Sequence, residues 1–291
     1  MDFPEYARAI ASRRRDRNLI AVQQTASTHL LGRRIVGEYG RESLRAPAAD
    51  VVAWTQTAGV GRDGRTWSSP PGKGVYLTVI RSLESADQVQ LLPVAVSVSL
   101  CEAICRWLRP AGGGGGGCRI KWPNDLFAGD RKLGGILIDV SSPPRTPETR
   151  AAERAKPLTS LPSRTADEVS RPLAVISVGV NLSSDLSAFA VAAATSVAAE
   201  AARHGGAGVS LDAAAGELIA AIDAGLAPEP RRLLDDYRRL SLHRPGDRIR
   251  CRLDSGAVTG TFLGFDRQGF LRLRVAGEEH RISSGVIVDG G

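Results

Sequence analysis

Only four cysteines occur in the 291 residues, Cys101, Cys105, Cys118 and Cys251, and no two stand at Cys-x-x-Cys spacing. That removes the common zinc and dithiol signatures. Cys101 and Cys105 sit one helical turn apart in an apolar stretch, the setting of buried small side chains and not of metal ligands. No uninterrupted apolar run reaches membrane length, because the longest, near residues 91–105, is broken by Pro93, Ser97, Ser99 and Glu102. No secretory leader is expected from the N-terminal composition. The stretch before the first expected strand is too short for a winged helix-turn-helix, and its basic run Arg13-Arg14-Arg15-Asp16-Arg17 reads as a solvated face. These absences predict a reduced, cytoplasmic setting with neither membrane nor DNA as partner.

What is present begins with Gln56-Thr57-Ala58-Gly59-Val60-Gly61-Arg62-Asp63-Gly64-Arg65-Thr66-Trp67, set between expected strands at 51–54 and 75–80. Its glycines let the backbone bend and approach a ligand, and its two arginines offer planar forks to carboxylate or phosphate oxygens. An anion-wrapping loop and an ordinary solvated glycine loop both fit. No Gly-Lys-Ser/Thr follows, so it is not a P-loop, and it does not open a helix as a dinucleotide fingerprint does. A formal charge of +7 favours phosphorylated or polyanionic partners but is too diffuse to imply nucleic acid.

Hydrophobic residues make up 43% of the chain, enough for one large and one small domain. A helix is expected over 3–18, a strand over 19–24, and a helix from Ser27 or Thr28 to about Tyr39. The spacing of 89–108 predicts a long buried helix with Pro93 in its first turn. Gly112–Gly117 reads as a lengthened surface loop. A strand then ends at Trp122-Pro123, presenting Asn124 and Asp125 with Lys121 close by; a site and a plain Asn-Asp turn both account for them. The chain returns through 132–140 as an antiparallel partner strand, where Gly134-Gly135 points to a ligand or backbone pressed close beside Lys132. Residues 141–171 carry no apolar periodicity and are expected to be a disordered insertion. A strand over 172–182, three helices at about 195–204, 211–227 and 230–240, and four short strands from 248 to 288 complete the chain. The last group predicts a small SH3-like β-barrel.

Gln56 to Trp67, Lys121-Trp122-Pro123-Asn124-Asp125, Lys132-Leu133-Gly134-Gly135-Ile136-Leu137 and Gly179-x-Asn181 together resemble, in order, the motif series of biotin protein ligases. The resemblance covers about residues 19–291 and is closest to the monofunctional class without a DNA-binding domain. It implies an α+β fold: a mixed, mainly antiparallel sheet with helices, of the class II synthetase-like biotin/lipoate ligase type, over 1–241, and the SH3-like barrel over 242–291. It implies ATP and biotin as substrates with Mg²⁺, formation of biotinyl-5′-AMP, and transfer of biotin to a lysine on the biotin-carrier domain of a carboxylase such as acetyl-CoA carboxylase. A lipoate or other acyl-adenylating ligase, and a non-catalytic biotin- or nucleotide-binding module, are the alternatives.

Carried over by position, the resemblance gives Ser27, Thr28 and Gln56 the ureido head of biotin, with Gly59 behind it and Gly135 along the tail. Arg62 falls at the acyl-phosphate junction, Arg65 on the phosphates and Trp67 against the nucleotide. Asn124 takes phosphate or ribose, and Asn181 lies near the adenylate. Lys132 bridges carboxylate and α-phosphate, and Asp125 orients or deprotonates the incoming amine. Two positions depart from the family pattern, Val60 for Arg and His29 for Asn. The loop 59–67 is expected to be mobile when empty and ordered over the adenylate.

Overall fold

The structure, a computed structural model, describes residues 1–14, 18–42, 44–110, 117–141, 171–183, 185, 187, 189, 193–227 and 230–288. The expected insertion at 141–171 lies almost wholly outside the described residues, as does the glycine run apart from Gly117. Two compact units emerge, Met1–Val89 with Leu137–Gly179, and Gln90–Ile136 with Val180–Gly291.

In the first unit, helix α1 (Phe3–Arg13) starts at Asp2, whose carboxylate accepts from the Glu5 amide while Glu5 reaches back to the Asp2 amide. This reciprocal cap and Pro4 in the first turn fix the helix start. Tyr6 and Ile10, one turn apart, are its buried residues, and Tyr6 meets the Trp54 ring at 5.7 Å. Strand β1 (Asn18–Thr25) lies parallel to β2 (Ala49–Gln56). A parallel pair needs a crossover, and helix α2 (Thr28–Arg41), capped by Ser27, supplies it. Strand β3 (Gly74–Ser82) returns antiparallel to β2, which makes the sheet mixed. Along β2 and β3, Val51, Val52, Val75, Leu77, Val79 and Ile80 are fully buried, the near-continuous apolar pattern of strands covered on both faces. Beneath them Arg81 meets Asp50 at 2.5 Å, and Arg14 reaches the other oxygen of the same carboxylate at 3.4 Å.

Helix α3 (Ala86–Leu108) begins three residues earlier than expected, because the Ser85 hydroxyl accepts from the Gln88 amide and caps it there. Pro93 therefore stands in the second turn, not the first. The segment Gln88–Leu108 is long and apolar enough to cross a membrane by length and composition, and most of it is buried as a core helix.

The second unit continues with β4 (Cys118–Lys121), β5 (Asp125–Ala128) and the start of β6 (Arg131–Ser141), whose residues from Leu137 belong to the first unit. β6 pairs with β5, a strand the sequence reading did not expect, and β5 in turn pairs with β4, both antiparallel. With β7 (Leu173–Asn181), the larger sheet reads β1-β2-β3-β7-β6-β5-β4. Helices α4 (Val197–His204), α5 (Leu211–Gly225) and α6 (Pro230–Leu240) follow within a few residues of expectation. The final strands number five and not four, since Ser283-Ser284-Gly285 interrupts the last: β8 (Arg248–Leu253), β9 (Gly256–Phe265), β10 (Leu271–Val275), β11 (Glu278–Ile282) and β12 (Val286–Val288). They pair antiparallel in the order β11-β10-β9-β8-β12. Tyr237 of α6 packs edge-on to Phe265 of this sheet at 4.8 Å. The architecture is α+β with a mixed sheet, as expected.

Candidate functional site

In the first unit, β1 and β2 stay paired beyond their ends, with Thr57 and Ala58 amides donating to Thr25 and Ala26. That extension brings the start of α2 beside the end of β2. The Thr28 amide and hydroxyl both donate to Gln56 Oε1, at 2.7 and 3.2 Å, and Gln56 Nε2 donates to Ser69 Oγ at 2.7 Å. Ser27 Oγ caps the helix by accepting from the Leu30 amide. Ser27, Thr28 and Gln56 are thus one cluster, and Ser69 is its fourth member, which the sequence did not single out.

The arginine loop is a tight hairpin. Trp67 N donates to Gly59 O at 2.8 Å, Val60 bridges Thr66, and Gly61 N donates to Arg65 O at 2.7 Å. The turn runs through Asp63 and Gly64, both left-handed (φ 55° and 71°). Gly59 is required by packing: a Cβ there would lie 2.4 Å from Trp67 O and 3.0 Å from both Gln56 Nε2 and Ser69 Oγ. Gly179 on β7 is required too, because a Cβ would fall 2.5 Å from the Trp67 indole. Arg62 is half-buried and Arg65 exposed, 3.4 Å from Asp63. Val60 acts through its backbone in the hairpin, and its side chain lines a cleft of about 360 Å³. Arg62, Leu30, Ile138 and the polar group His29, Arg33 and Asp139 line the same cleft.

Of that polar group the sequence singled out only His29, as a departure from the family pattern. His29 Nδ1 lies 2.8 Å from Ser177 Oγ, Ser177 Oγ lies 2.8 Å from Thr78 Oγ1, and His29 Nε2 lies 3.2 Å from Asp139 Oδ2, which Arg33 Nε also meets at 3.2 Å. Burial holds the His29 pKa below 6.5, with Asp139 pulling the other way and Arg33 reinforcing the fall. Ser, His and Asp are the residue types of a hydrolase triad. Here, however, the serine is buried on the Nδ1 side and bonded to Thr78, so it is no nucleophile. The available signal was three polar residues, Thr78, Asp139 and Ser177, each interrupting an apolar strand.

In the second unit, Asp125 meets Lys132 Nζ at 2.7 Å, each side chain about a quarter exposed. A bulge makes this possible. Leu126 opposes Gly134 but Phe127 opposes Lys132, so Leu133 is the extra residue. Without it Lys132 would fall on the other face of the pair from Asp125. The Asn124 carbonyl accepts from the Ile136 amide while its side-chain amide donates to Ile136 O. Gly135 stands opposite Asp125 in register. Asn181, buried, donates to Thr195 O at 3.0 Å, and the Lys132 backbone exchanges hydrogen bonds with Ala193 and Thr195. Glu200 anchors that segment, taking the Thr195 hydroxyl, Arg131 at 3.1 Å and Arg203 at 2.7 Å. Lys121 is buried and lies over the Phe127 ring at 5.1 Å. Trp122 Nε1 donates to Gly269 O at 3.1 Å, tying the start of Pro123-Asn124-Asp125 to a turn of the small sheet. Asn124, Asp125, Lys132, Gly135 and Asn181 therefore form one constellation in this unit.

Residues 33–147 match the biotin/lipoate A/B protein ligase family. The chain is 36% identical over 91 residues to the bifunctional ligase/repressor BirA of Escherichia coli, covering 31% of this chain and 26% of that protein. It is 32% identical over 133 residues to a biotin–[acetyl-CoA-carboxylase] ligase of Mycobacterium tuberculosis, covering 44% and 46%. The matched segments thus span less than half of those relatives' own lengths. The fold aligns with the biotin protein ligase from Aquifex aeolicus in complex with biotin and ATP, at a TM-score of 0.62 and 19% identity, over 93% of this chain and 97% of that one. Over residues 33–147 the chain is similar to the biotin/lipoate A/B protein ligase family. More narrowly, its fold is that of the biotin protein ligases.

Proposed function

We propose that the chain is an ATP-dependent biotin protein ligase. A carboxylate oxygen of biotin attacks the α-phosphorus of ATP and pyrophosphate leaves. A lysine amine of a carboxylase biotin-carrier domain then attacks the acyl carbon, AMP leaves, and the amine gives up a proton. The observation that carries this reading is the hairpin 59–67, whose closure depends on Gly59 and which sets Arg62 on the cleft beside α2. Nucleotidyl transfer needs fixed cations and backbone donors around two anions and no side-chain nucleophile, which suits this loop.

In this reading Ser27, Thr28 and Gln56 take the ureido head, with Gly59 behind it and Gly135 along the tail. Arg62 and Lys132 neutralise the charge that gathers as the mixed anhydride forms. Arg65, Trp67, Asn124 and Asn181 hold the nucleotide. Asp125, already paired with Lys132, receives the incoming amine. Mg²⁺ enters with ATP, held mainly by the phosphates and by water. We assign 1–241 to catalysis, 242–291 to an SH3-like barrel, and the protein to the cytoplasm.

Pyrophosphate release from ATP, measured without carrier and with biotin, lipoate or neither, tests the reading. Release that requires biotin, at about one turnover per chain, is expected if the adenylate is retained. Release with lipoate alone overturns it in favour of a lipoate ligase, and none with either leaves a binding module.

A further inference from the structure

The hydrogen-bond chain under α2 has one permitted proton order. An ionised Asp139 only accepts, so His29 carries its proton on Nε2 and donates it there. Nδ1 must then accept from Ser177, whose hydroxyl is left to accept from Thr78. The chain ties α2 to β6, β7 and β3, one residue along from Thr28, which holds Gln56 in the expected head-group cluster. A second proton on His29 reverses this order at once. Nδ1 becomes a donor, Ser177 must turn its hydrogen towards Thr78, and a cation is left 4% exposed in the first turn of a helix, where the backbone dipole disfavours it.

We propose that neutral His29 is a positioning residue for the biotin head: it fixes the first turn of α2, and protonating it weakens biotin binding while leaving the adenylation step itself little changed. This deepens the ligase reading and rests on it. The charged groups facing the ring are Asp139 from β6, Arg33 from α2, and Arg62 and Asp63 from the hairpin tip in the same cleft. Of these side-chain types only an imidazole ordinarily titrates between about pH 5 and 8, so the ring is the group whose charge changes in this window. The other three histidines, His204, His243 and His280, lie in the second unit. The sign follows from burial: the folded protein takes up this proton later than a free imidazole, so head-group binding holds through neutral pH and fails below 6.5.

The test is calorimetric binding of biotin alone, without ATP, to the full chain between pH 8 and 5, beside the KM and kcat of pyrophosphate release. The expected result is a dissociation constant and a KM that rise together below pH 6.5, by at most about tenfold per pH unit for one proton, with kcat changing far less. His29→Gln keeps a donor towards Asp139 and cannot titrate, so its affinity should be flat across the range and close to the parent's at pH 8. Biotin bound equally well at pH 8 and pH 5 by the parent overturns the inference and leaves the ligase reading standing. A pH limb that survives in His29→Gln also overturns it. No binding at pH 8 overturns the ligase reading and the inference with it. Circular dichroism at each pH separates loss of the site from loss of the fold.

Discussion

A methyl group on Gly59 has no room, since it would stand 2.4 Å from a carbonyl oxygen that belongs to the hairpin's own closing pair. Gly59→Ala must therefore open the base of the loop and shift Arg62. Loss of an aligned cation of this kind costs about 10²–10³ in rate, so biotin-dependent pyrophosphate release should fall by that order while the melting temperature moves by a few degrees. Gly179→Ala pushes on the Trp67 indole instead. Overpacking of this type costs about 1–3 kcal/mol, and the displaced ring should redden the tryptophan emission as activity drops. If the chain runs the proposed ligase reaction, substitutions in the ion pair of Lys132 and Asp125 should separate its two half-reactions. Lys132→Ala should abolish pyrophosphate release to within the same 10²–10³ range. Asp125→Asn should leave that release within about tenfold and slow transfer to a carrier lysine much more, as loss of a general base does. Equal losses in both half-reactions for Asp125→Asn would remove its role towards the amine.

At the scale of elements, the buried pair of Asp50 and Arg81 joins neighbouring strands under the sheet, with Arg14 adding a second contact from the end of α1. Arg81 also donates to Ala49 O, so its guanidinium satisfies backbone and carboxylate together. Arg81→Leu takes from the buried carboxylate its 2.5 Å partner, leaving the longer contact to Arg14, and should cost about 3 kcal/mol in urea unfolding, whereas the exposed pair of Arg34 and Glu38 should cost under about 1 kcal/mol when broken. None of this was legible in the sequence, because a single Asp and Arg in apolar strands have no local signature. Strands and helices with long periodic patterns were legible to within a few residues. Strand β5 was missed because its four residues, Asp125–Ala128, carry too short a pattern to outweigh turn-forming neighbours. The bulge at Leu133 was invisible for a related reason: register belongs to a pair of strands, and one strand's composition does not contain it. The site motifs were legible as residue types, with Gly59 read as a point of close backbone approach and Gly179 only as part of Gly-x-Asn. Their supports, Ser69, Glu200 and the His29 network, were not, because each acts through a partner far away in the chain.

Charge is a property of the whole molecule, and here it is unevenly spread. Residues 230–288 hold twelve arginines and no lysine against seven carboxylates, which accounts for most of the net +7. Several of these arginines are already paired, Arg272 with Glu279 and Arg281 with Asp266 among them, so the excess acts as a diffuse field and not as a fitted anion site. A field of that kind speeds the encounter with a macromolecule of opposite sign and does little for a small ligand already held by direct contacts. The two half-reactions should therefore respond differently to salt. Raising ionic strength from about 0.02 M to 0.3 M shortens the screening length from roughly 20 Å to under 10 Å. Transfer to an acidic carrier domain, followed at subsaturating carrier, should slow by about tenfold or more over that range, while biotin-dependent pyrophosphate release at saturating biotin and ATP changes by less than about twofold. Replacing Arg248, Arg250 and Arg252 together by glutamine should flatten the salt dependence of transfer and leave pyrophosphate release intact. Transfer that is insensitive to salt would mean that the carrier is recognised by shape and short-range contacts alone, and that the arginine excess serves solubility.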